Sequence, residues 1–291
     1  MDRMLQIDLC KGQARVLLCE TTETVQRCSD IHNASAVCTA ALGRLLTGTA
    51  MMGLMMKGSK ESVTVYFKGN GPMGTLCAVA DHGDVRAYAD NPCVELPLRE
   101  DGKLDVGSAV GKDGMMSVLK DLGLRENYIG QCRIVSGEIA MDFANYFTSS
   151  EQHPSLVALG VLVSGNTVLK AGGLLIQPLP GCPDEIIDQL ELRSPMFADI
   201  SREMTFANIE QLCNDWFRGL EPVILATDPI RYHCSCSRER MEKALISLGR
   251  NDLESIIADD KGAELCCHFC GTKHHFTTED LRTLLNNASE K

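Results

Sequence analysis

The sequence predicts an α/β (α+β) amino-terminal domain over residues 1–180, a helical linker over 181–231 and a small carboxy-terminal domain over 232–291. Three observations support this division. Strand-like and helix-like patterns mix up to about residue 180, prolines and glycine cluster at 178–183, and five of the 14 cysteines then fall within 232–291. A chain of 291 residues is long enough for one large domain and a smaller one.

Composition and charge narrow the classes of function. Apolar residues make up 44% of the chain and charged residues 23%, which is ordinary for a globular protein. The net charge of −11, without a basic run, disfavours nucleic-acid binding. The first residues lack the apolar run of a signal peptide, and Arg44 interrupts the most apolar stretch, 34–56. We therefore expect a cytoplasmic protein without a membrane span.

The amino-terminal domain is predicted from periodicity and turn residues. Alternating apolar residues indicate strands, Gly-Asn and Asp-His-Gly-Asp sequences indicate tight turns, and small or straight-chain residues favour a long buried helix. The predicted elements are a strand at 16–19, the helix at 34–56, a strand at 61–68, a hairpin of 76–80 with 85–89, a strand at 134–142, and a strand pair of 155–163 with 168–177.

Four methionines lie together in the long predicted helix: Met51, Met52, Met55 and Met56. Methionine-rich surfaces can adapt to many partners, so this cluster is a candidate binding face. Their helical spacing is more typical of a buried core, which is the interpretation that we favour.

The predicted linker contains two amphipathic helices, at 184–192 and 206–217, separated by a polar turn around Ser194 and Pro195. Isolated helices of this length are marginal in water, so their apolar faces must pack against another element. The candidate contact residues on these faces are Ile186, Ile187, Leu190, Ile209, Leu212, Trp216 and Phe217.

The carboxy-terminal cysteines form two closely spaced pairs, Cys234-x-Cys236 and Cys267-x-x-Cys270, the second followed by Gly271. In a reducing compartment, such clustered thiols indicate metal or redox chemistry rather than a disulfide scaffold. Two close pairs from distant segments can complete a tetrahedral all-sulfur zinc site. The scattered cysteines are more simply small buried apolar residues: Cys10, Cys19, Cys28, Cys38, Cys77, Cys93, Cys132, Cys182 and Cys213.

The residues between the two pairs predict a compact module. Ser237 can cap a helix that Gly249 ends, and Asn251 with Glu254 resembles a capping box that starts a second helix. Two small helices and a hairpin supply little core, so a module of this size normally needs a metal or another cross-link. Cys266 is an alternative zinc ligand, as is each of four histidines: His233, His268, His274 and His275.

Several longer motifs carry a resemblance to a known family. They are Gly69-Asn70-Gly71-Pro72-Met73-Gly74, Glu151-Gln152-His153-Pro154-Ser155, Ala171-Gly172-Gly173 leading to Pro180-Gly181, and Cys234-Ser-Cys236-Ser-Arg-Glu-Arg240 with Cys267-x-x-Cys270. Over nearly its whole length, the sequence resembles the 33 kDa heat shock protein family, the redox-regulated holdase chaperones of bacteria. Cys266 departs from the family pattern. It affects the expected order of oxidation and the expected disulfide pairing but not the metal site.

The resemblance implies a function and a set of site residues. One structural Zn²⁺ would be bound by Cys234, Cys236, Cys267 and Cys270 in an inactive, reduced monomer. Oxidation of the same cysteines would form disulfides, which the short separations favour within each pair, and zinc would leave. The module would unfold, the linker helices would lose their packing partners, and the exposed apolar residues would bind unfolding client proteins without ATP. The resemblance also implies a homodimer on oxidation and no enzymatic activity.

Two alternatives come from other classes of protein. A zinc-ribbon nucleic-acid module would need a basic face, but Arg238, Arg240, Lys243 and Arg250 alternate with acidic residues: Glu239, Glu242, Asp252, Glu254, Asp259 and Asp260. A zinc hydrolase would need an open coordination position and a carboxylate base. Glu264 is the one obvious candidate for that base. We expect neither nucleic acid nor membrane as a partner.

Overall fold

A computed structural model describes residues 1–58 and 61–288, which form two compact units, Met1–His233 and Cys234–Lys291. Residues 59–60 and 289–291 belong to the predicted amino- and carboxy-terminal domains and lie outside the described residues. The predicted linker falls within the first unit, so its separation as a third part stays a prediction.

The first unit contains two antiparallel sheets and several helices, with one short parallel pairing at a sheet edge. The strands are β1 (Arg3–Leu9), β2 (Ala14–Glu20), β3 (Ser62–Lys68), β4 (Thr75–Asp81), β5 (Asp84–Ala89), β6 (Met115–Asp121), β7 (Tyr128–Arg133), β8 (Leu156–Ser164), β9 (Thr167–Pro178), β10 (Val223–Pro229) and β11 (Arg231–Tyr232). The helices are α1 (Thr22–His32), α2 (Ala36–Leu54), α3 (Val106–Val110), α4 (Ala140–Ser149), α5 (Asp184–Leu192), α6 (Ser194–Phe197), α7 (Ile200–Glu203) and α8 (Ile209–Trp216).

The two sheets are formed by different sets of strands. The five-stranded sheet has the order β10-β1-β2-β9-β8, and the six-stranded sheet has the order β11-β5-β4-β3-β6-β7. Helix α2 packs against strands of both sheets, including β4, β5, β8 and β9. The larger hydrophobic core of the unit therefore forms around α2.

The burial of α2 follows from its composition. Ser35 begins the helix by accepting a hydrogen bond from the Cys38 amide, and small residues along it allow close packing. A Cβ atom on Gly48 would lie 2.5 Å from the Phe143 ring. Met51 and Met52 are each 2% exposed, which confirms the core interpretation for these two, whereas Met55 and Met56 are half-buried.

One helix among the described residues, α2, is long and apolar enough to cross a membrane by length and composition alone. Most of its apolar stretch, 89%, is buried inside the structure. Core helices of soluble proteins meet the same criterion, so this is weak evidence for a span.

Most of the predicted elements of the amino-terminal domain are confirmed. The predicted strand at 16–19 lies within β2, and the hairpin of β4 and β5 closes at Asp81 and Asp84. Strands β8 and β9 pair across Gly165 and Asn166, as the turn residues indicated. Strand β3 and helix α2 also occur where the sequence predicted them.

The predicted strand at 134–142 is wrong. After β7, the chain forms an irregular loop that ends in α4, and the fully buried carboxylate of Asp142 organises this loop. Asp142 accepts hydrogen bonds from the amides of Val135, Ser136 and Ile139 and from the Ser136 hydroxyl, at 2.7–3.1 Å. These local bonds satisfy the backbone without a partner strand, which the apolar pattern of the segment did not reveal.

The helices of the predicted linker pack on the five-stranded sheet. Leu190, Ile209, Leu212, Trp216 and Phe217 are buried in one core with residues of β1, β2 and β9, and Ile186 packs against the same core. Ile187 is half-buried. These helices were expected to lose their packing partners when the carboxy-terminal module unfolds. This expectation needs correction, because their partners in this core belong to the first unit.

Two boundaries in the predicted linker also differ. Helix α8 begins at Ile209 rather than 206, because Asn208 and Gln211 form a reciprocal capping box; Phe206 lies outside the helix and is 76% exposed. Residues Val223–Pro229 form strand β10, which pairs with β1, so the predicted linker is not helical throughout. The pairing partner is more than two hundred residues away, and no local pattern indicates it.

The second unit contains α9 (Arg238–Ser247), α10 (Arg250–Ala258), β12 (Ala263–Cys266), β13 (Lys273–Phe276) and α11 (Thr278–Ala288). Ser237 caps α9 as expected. Gly249 has a φ of 96° and α10 begins at once at Arg250, so Asn251 lies inside the helix and the predicted capping box is wrong. The sequence analysis missed α11, although Thr277 and Asp280 form reciprocal capping bonds at its start.

Replacing Asp142 with alanine should destabilise the first unit by about 3–5 kcal/mol, because several buried donors lose a charged acceptor. Urea unfolding followed by circular dichroism measures this change. Asp188→Ala, at an exposed position of α5, is the matched control and should stay within about 0.5 kcal/mol of the parent. Equal stability of the two variants would contradict the role given to Asp142.

Candidate metal centre

The four paired cysteines come from two places in the second unit. Cys234 and Cys236 immediately precede the capped start of α9, and Cys267 and Cys270 lie in the turn between β12 and β13. The turn is closed by backbone hydrogen bonds from Cys267 to Thr272 and from Gly271 to Cys267. Gly271 has a φ of 69°, a conformation that favours glycine and lets the turn direct both sulfur atoms to one side.

The four sulfur atoms lie within 4.8 Å of one another and could hold a metal ion. The Sγ atoms of Cys234 and Cys267 are 3.6 Å apart, and those of Cys236 and Cys270 are 3.4 Å apart. A tetrahedral zinc site with Zn–S bonds of about 2.3 Å requires sulfur separations of about 3.8 Å. The donor set and its spacing therefore fit a four-thiolate zinc site.

The pKa values of Cys234, Cys236 and Cys270 are shifted by burial and by their neighbours. Burial raises the pKa of Cys234 to about 11 and also raises the pKa of Cys236. Burial acts in the same direction on Cys270, but hydrogen bonds from Thr272 and the neighbouring thiols outweigh it and lower its pKa to about 7. The Cys270 thiolate is therefore stabilised by its hydrogen-bond partners, and ionising several sulfurs this close together requires a compensating positive charge.

A small core supports the cluster. The side chains of Leu245, Leu253, Phe276 and Leu281 are buried together, one each from α9, α10, β13 and α11. Arg238 lies over the Phe276 ring, donates to the His275 carbonyl oxygen and pairs with Asp280 at 2.9 Å. This residue connects α9 to β13 and α11 next to the cysteines, a role that the sequence analysis did not assign.

The alternative ligands are not part of the cluster. Cys266 is exposed, and its thiol donates to the Gly271 carbonyl oxygen at 3.5 Å. Among the described residues, the one group with metal-site geometry contains the four cysteines and no histidine. His275 instead lies 3.3 Å from Glu264.

Glu264 does not have the environment of a catalytic base. A hydrogen bond from Lys273 lowers the pKa of its carboxyl group, and the two side chains are 2.9 Å apart. A general base at neutral pH usually requires a raised carboxyl pKa. This geometry disfavours the zinc-hydrolase alternative.

Thr272 is a further residue that the sequence analysis missed. Its hydroxyl lies 3.2 Å from the Cys270 sulfur, and it is the main source of the lowered pKa of that thiol. A hydroxyl residue two positions after a cysteine is too common to identify from sequence. The fold of the turn between β12 and β13 brings this hydroxyl next to the Cys270 sulfur.

Comparison with known proteins identifies the class and then the family. The class is a protein with an α/β unit of two sheets followed by a small unit whose four clustered cysteines could hold a metal ion. The family model for Hsp33 protein matches residues 2–277, and the chain belongs to this family.

The relatives cover the chain from end to end. The 33 kDa chaperonin of Ruminiclostridium cellulolyticum is 44% identical over 98% of both chains, and that of Bacillus subtilis is 43% identical over 98% of both. The crystal structure of the 33 kDa chaperonin from Thermotoga maritima matches with a TM-score of 0.90 and 33% identity over 99% of each chain. The family and these names support a chaperone role, and the match to a solved structure confirms the predicted mixed α/β class.

The adjacent cysteines Cys266 and Cys267 provide a direct test of the ligand set. Cys267→Ser should lower zinc affinity about 100-fold, since one of four ligands contributes about a quarter of a binding free energy of about 10–16 kcal/mol. Cys266→Ser should retain one zinc per chain. Competition with a chromogenic chelator measures both, and loss of zinc from the Cys266 variant alone would contradict the assignment.

Proposed function

We propose that the protein is a redox-regulated, ATP-independent holdase chaperone that is inactive when reduced and zinc-bound. The observation that carries this proposal is the cluster of four cysteine sulfur atoms in a small module of a chain related to 33 kDa chaperonins. A thiol cluster in such a module couples the redox state of the surroundings to the folding of that module.

Cys234, Cys236, Cys267 and Cys270 would hold one Zn²⁺, which when bound keeps all four sulfurs as thiolates and cross-links the two segments. The core of the second unit has four fully buried apolar side chains. Such a core supplies little stability by itself, so the module should depend on this cross-link. The first unit has two larger cores of its own and should remain folded without the metal.

Oxidation would convert the ligands into groups that no longer bind metal. A thiolate attacks a peroxide oxygen, the O–O bond breaks, and a sulfenic acid forms with release of hydroxide. A second cysteine thiolate then attacks that sulfur, so that an S–S bond forms and the oxygen leaves as water after protonation. Each disulfide uses one peroxide, and disulfide sulfur is a poor zinc ligand.

The pairing of the disulfides would show whether they form in the folded site or as the module opens. Both short sulfur contacts join distant segments, with sequence separations of 33 and 34 residues, so oxidation within the folded site would favour linkage across the segments. In an unfolded module, closing loops of three or four residues costs about 2 kcal/mol less in chain entropy. We infer that near-neighbour disulfides, Cys234–Cys236 and Cys267–Cys270, form as the module opens.

The linker helices would supply the client-binding surface after activation. In the structure, their apolar side chains are buried on the five-stranded sheet, which keeps this surface from clients. Activation must therefore separate these helices from the first unit as well as unfold the second. The exposed residues would be Ile186, Ile187, Leu190, Ile209, Leu212, Trp216 and Phe217, and such an apolar surface binds unfolding proteins.

The remaining parts of the proposal concern partners and location. We propose a cytoplasmic protein that binds unfolding client proteins, forms a homodimer on oxidation and catalyses no reaction. In the second unit, Arg238 pairs with Asp280 and Arg250 pairs with Glu254 at 2.7 Å. These pairs reduce the positive charge that a nucleic-acid surface would need, which disfavours the zinc-ribbon alternative.

Peroxide at heat-shock temperature, or hypochlorite, should release one zinc, oxidise four thiols per chain and produce suppression of aggregation of a chemically unfolded protein. A reductant should return the thiols. Zinc release, thiol content and light scattering of the client, measured on the same samples, check this. Full activity with zinc retained and the second unit still folded would exclude the mechanism.

Two exposed cysteines, Cys93 and Cys266, would otherwise complicate the thiol count. The Cys93→Ser, Cys266→Ser double variant is the matched control and should show the same zinc release and activity as the parent. Mapping its disulfides by proteolysis and mass spectrometry separates near-neighbour pairs from pairs across the two segments.

The single tryptophan provides a probe of the linker. Trp216 is 4% exposed, and its ring contacts Phe197 edge-on, with centroids 5.2 Å apart. If activation frees the linker helices, the emission of Trp216 should shift to longer wavelength together with chaperone activity. An active protein with unshifted emission would show that clients bind elsewhere, while zinc release would still test the redox switch independently.

A further inference from the structure

The first unit contains a cavity of about 440 Å³ that the proposed function does not use. It is lined by α2, by the central part of β8, by α7 and by the irregular segment at 98–104. Its volume is within the range of about 300–1,000 Å³ that is typical of small-molecule sites. Helix α7 of the predicted linker and helix α2 therefore line the same cavity.

The charged side chains that line the cavity are mostly basic. Arg44 comes from α2, Lys103 from the irregular segment and Arg202 from α7, and Asp199 is the one acidic residue of the lining. Glu138, beside Arg44, offsets part of this charge. A local excess of positive charge is notable in a chain whose net charge is −11.

Arg44 has unused hydrogen-bonding capacity. Its side chain is 19% exposed, and its Nη1 atom donates to the Glu138 carboxylate at 2.6 Å. Its Nε atom is buried and has no acceptor among residues 1–58 and 61–288. A buried donor without an acceptor is uncommon and is often explained by a bound molecule.

Lys103 and Arg202 are the exposed cations of the cavity lining. Lys103 pairs with Asp199 at 2.6 Å, but both side chains are more than half exposed, so this ion pair contributes little stability. Arg202 is exposed and has no ion pair within the described part of the chain. Both cations can therefore turn towards a ligand without losing a strong partner.

The edge strand β8 also lines the cavity. Strand β8 is at an edge of the five-stranded sheet, so one side of its backbone is not paired within that sheet. Gly160 allows α7 to lie close to this strand, because a Cβ atom there would be 2.8 Å from the Ser201 nitrogen. Helix α7, which carries Arg202, is thereby held close to this edge strand.

We propose that this cavity binds a small organic oxyanion, either a phosphate monoester or a carboxylate, through Arg44, Arg202 and Lys103. Guanidinium groups bind both oxyanions with paired hydrogen bonds. A ligand that contacts both α2 and α7 binds only while α7 is packed on the first unit. Its binding therefore stabilises the packed linker by mass action. The site goes beyond the proposed redox switch, because it would regulate the same linker without touching the cysteines.

The reduced, zinc-loaded full-length protein should be titrated with phenyl phosphate and, separately, with benzoate, each against sodium chloride of equal ionic strength. Calorimetry measures affinity, and metal analysis confirms that zinc is retained. We expect saturable binding of at least one ligand, and the preferred ligand identifies the oxyanion. Arg202→Gln should weaken binding about 10–100-fold, as expected for loss of a charged hydrogen-bond donor.

Arg218→Gln is the matched control, since Arg218 is an exposed arginine of the same linker that pairs with Asp215. It should bind the ligand as the parent does. Equal affinity in the Arg202 variant and the parent would overturn the proposal, as would heats that sodium chloride reproduces. Because Arg202 is exposed, its substitution should leave the thermal unfolding of the ligand-free protein unchanged, which separates loss of binding from loss of fold.

Discussion

Four cysteine sulfur atoms within 4.8 Å of one another cannot all carry a negative charge unless a cation lies among them. Two thiolates 3.6 Å apart repel by about 5 kcal/mol at an effective dielectric constant of about 20. The thiols themselves support one ionised member, Cys270, whose pKa is lowered to about 7 by its hydrogen-bond partners. Ionising more than one of these sulfurs therefore requires a compensating cation, and this requirement is the physical basis of the proposed zinc site.

The two units should respond differently to a change at the cysteines. The second unit has one small core, whereas the first has two sheets, a central helix and two extensive cores. A change at the cysteines should thus act first on the smaller unit, which is the appropriate relation for a sensor module. The family relationship supports a chaperone role, and the chemistry of the thiols supports the proposed control by oxidation.

The position of the linker helices limits how the proposed control by oxidation could work. Their apolar faces cover β1, β2 and β9, so the surface proposed for client binding forms part of a core in the described state. Exposing it requires breaking contacts within the first unit, including the edge-on contact of Trp216 with Phe197. The basic cavity beside α7 is placed where a ligand could oppose this separation.

The sequence by itself determined the ligand candidates and most strands of the first unit. Both depend on local information: cysteine spacing, a glycine that permits a left-handed turn, and alternation of apolar residues. The sequence also placed α5 with its observed bounds, because its apolar spacing and the preceding Pro183 are local features.

Only the tertiary structure decided which distant segments meet. It placed β10 beside β1, arranged the 134–139 loop around Asp142 and buried the linker faces on the five-stranded sheet. Each of these depends on contacts between residues far apart in the chain, or on a buried polar group whose partners are backbone amides. Residue periodicity carries no record of such contacts, because it reports only which side of an element is apolar.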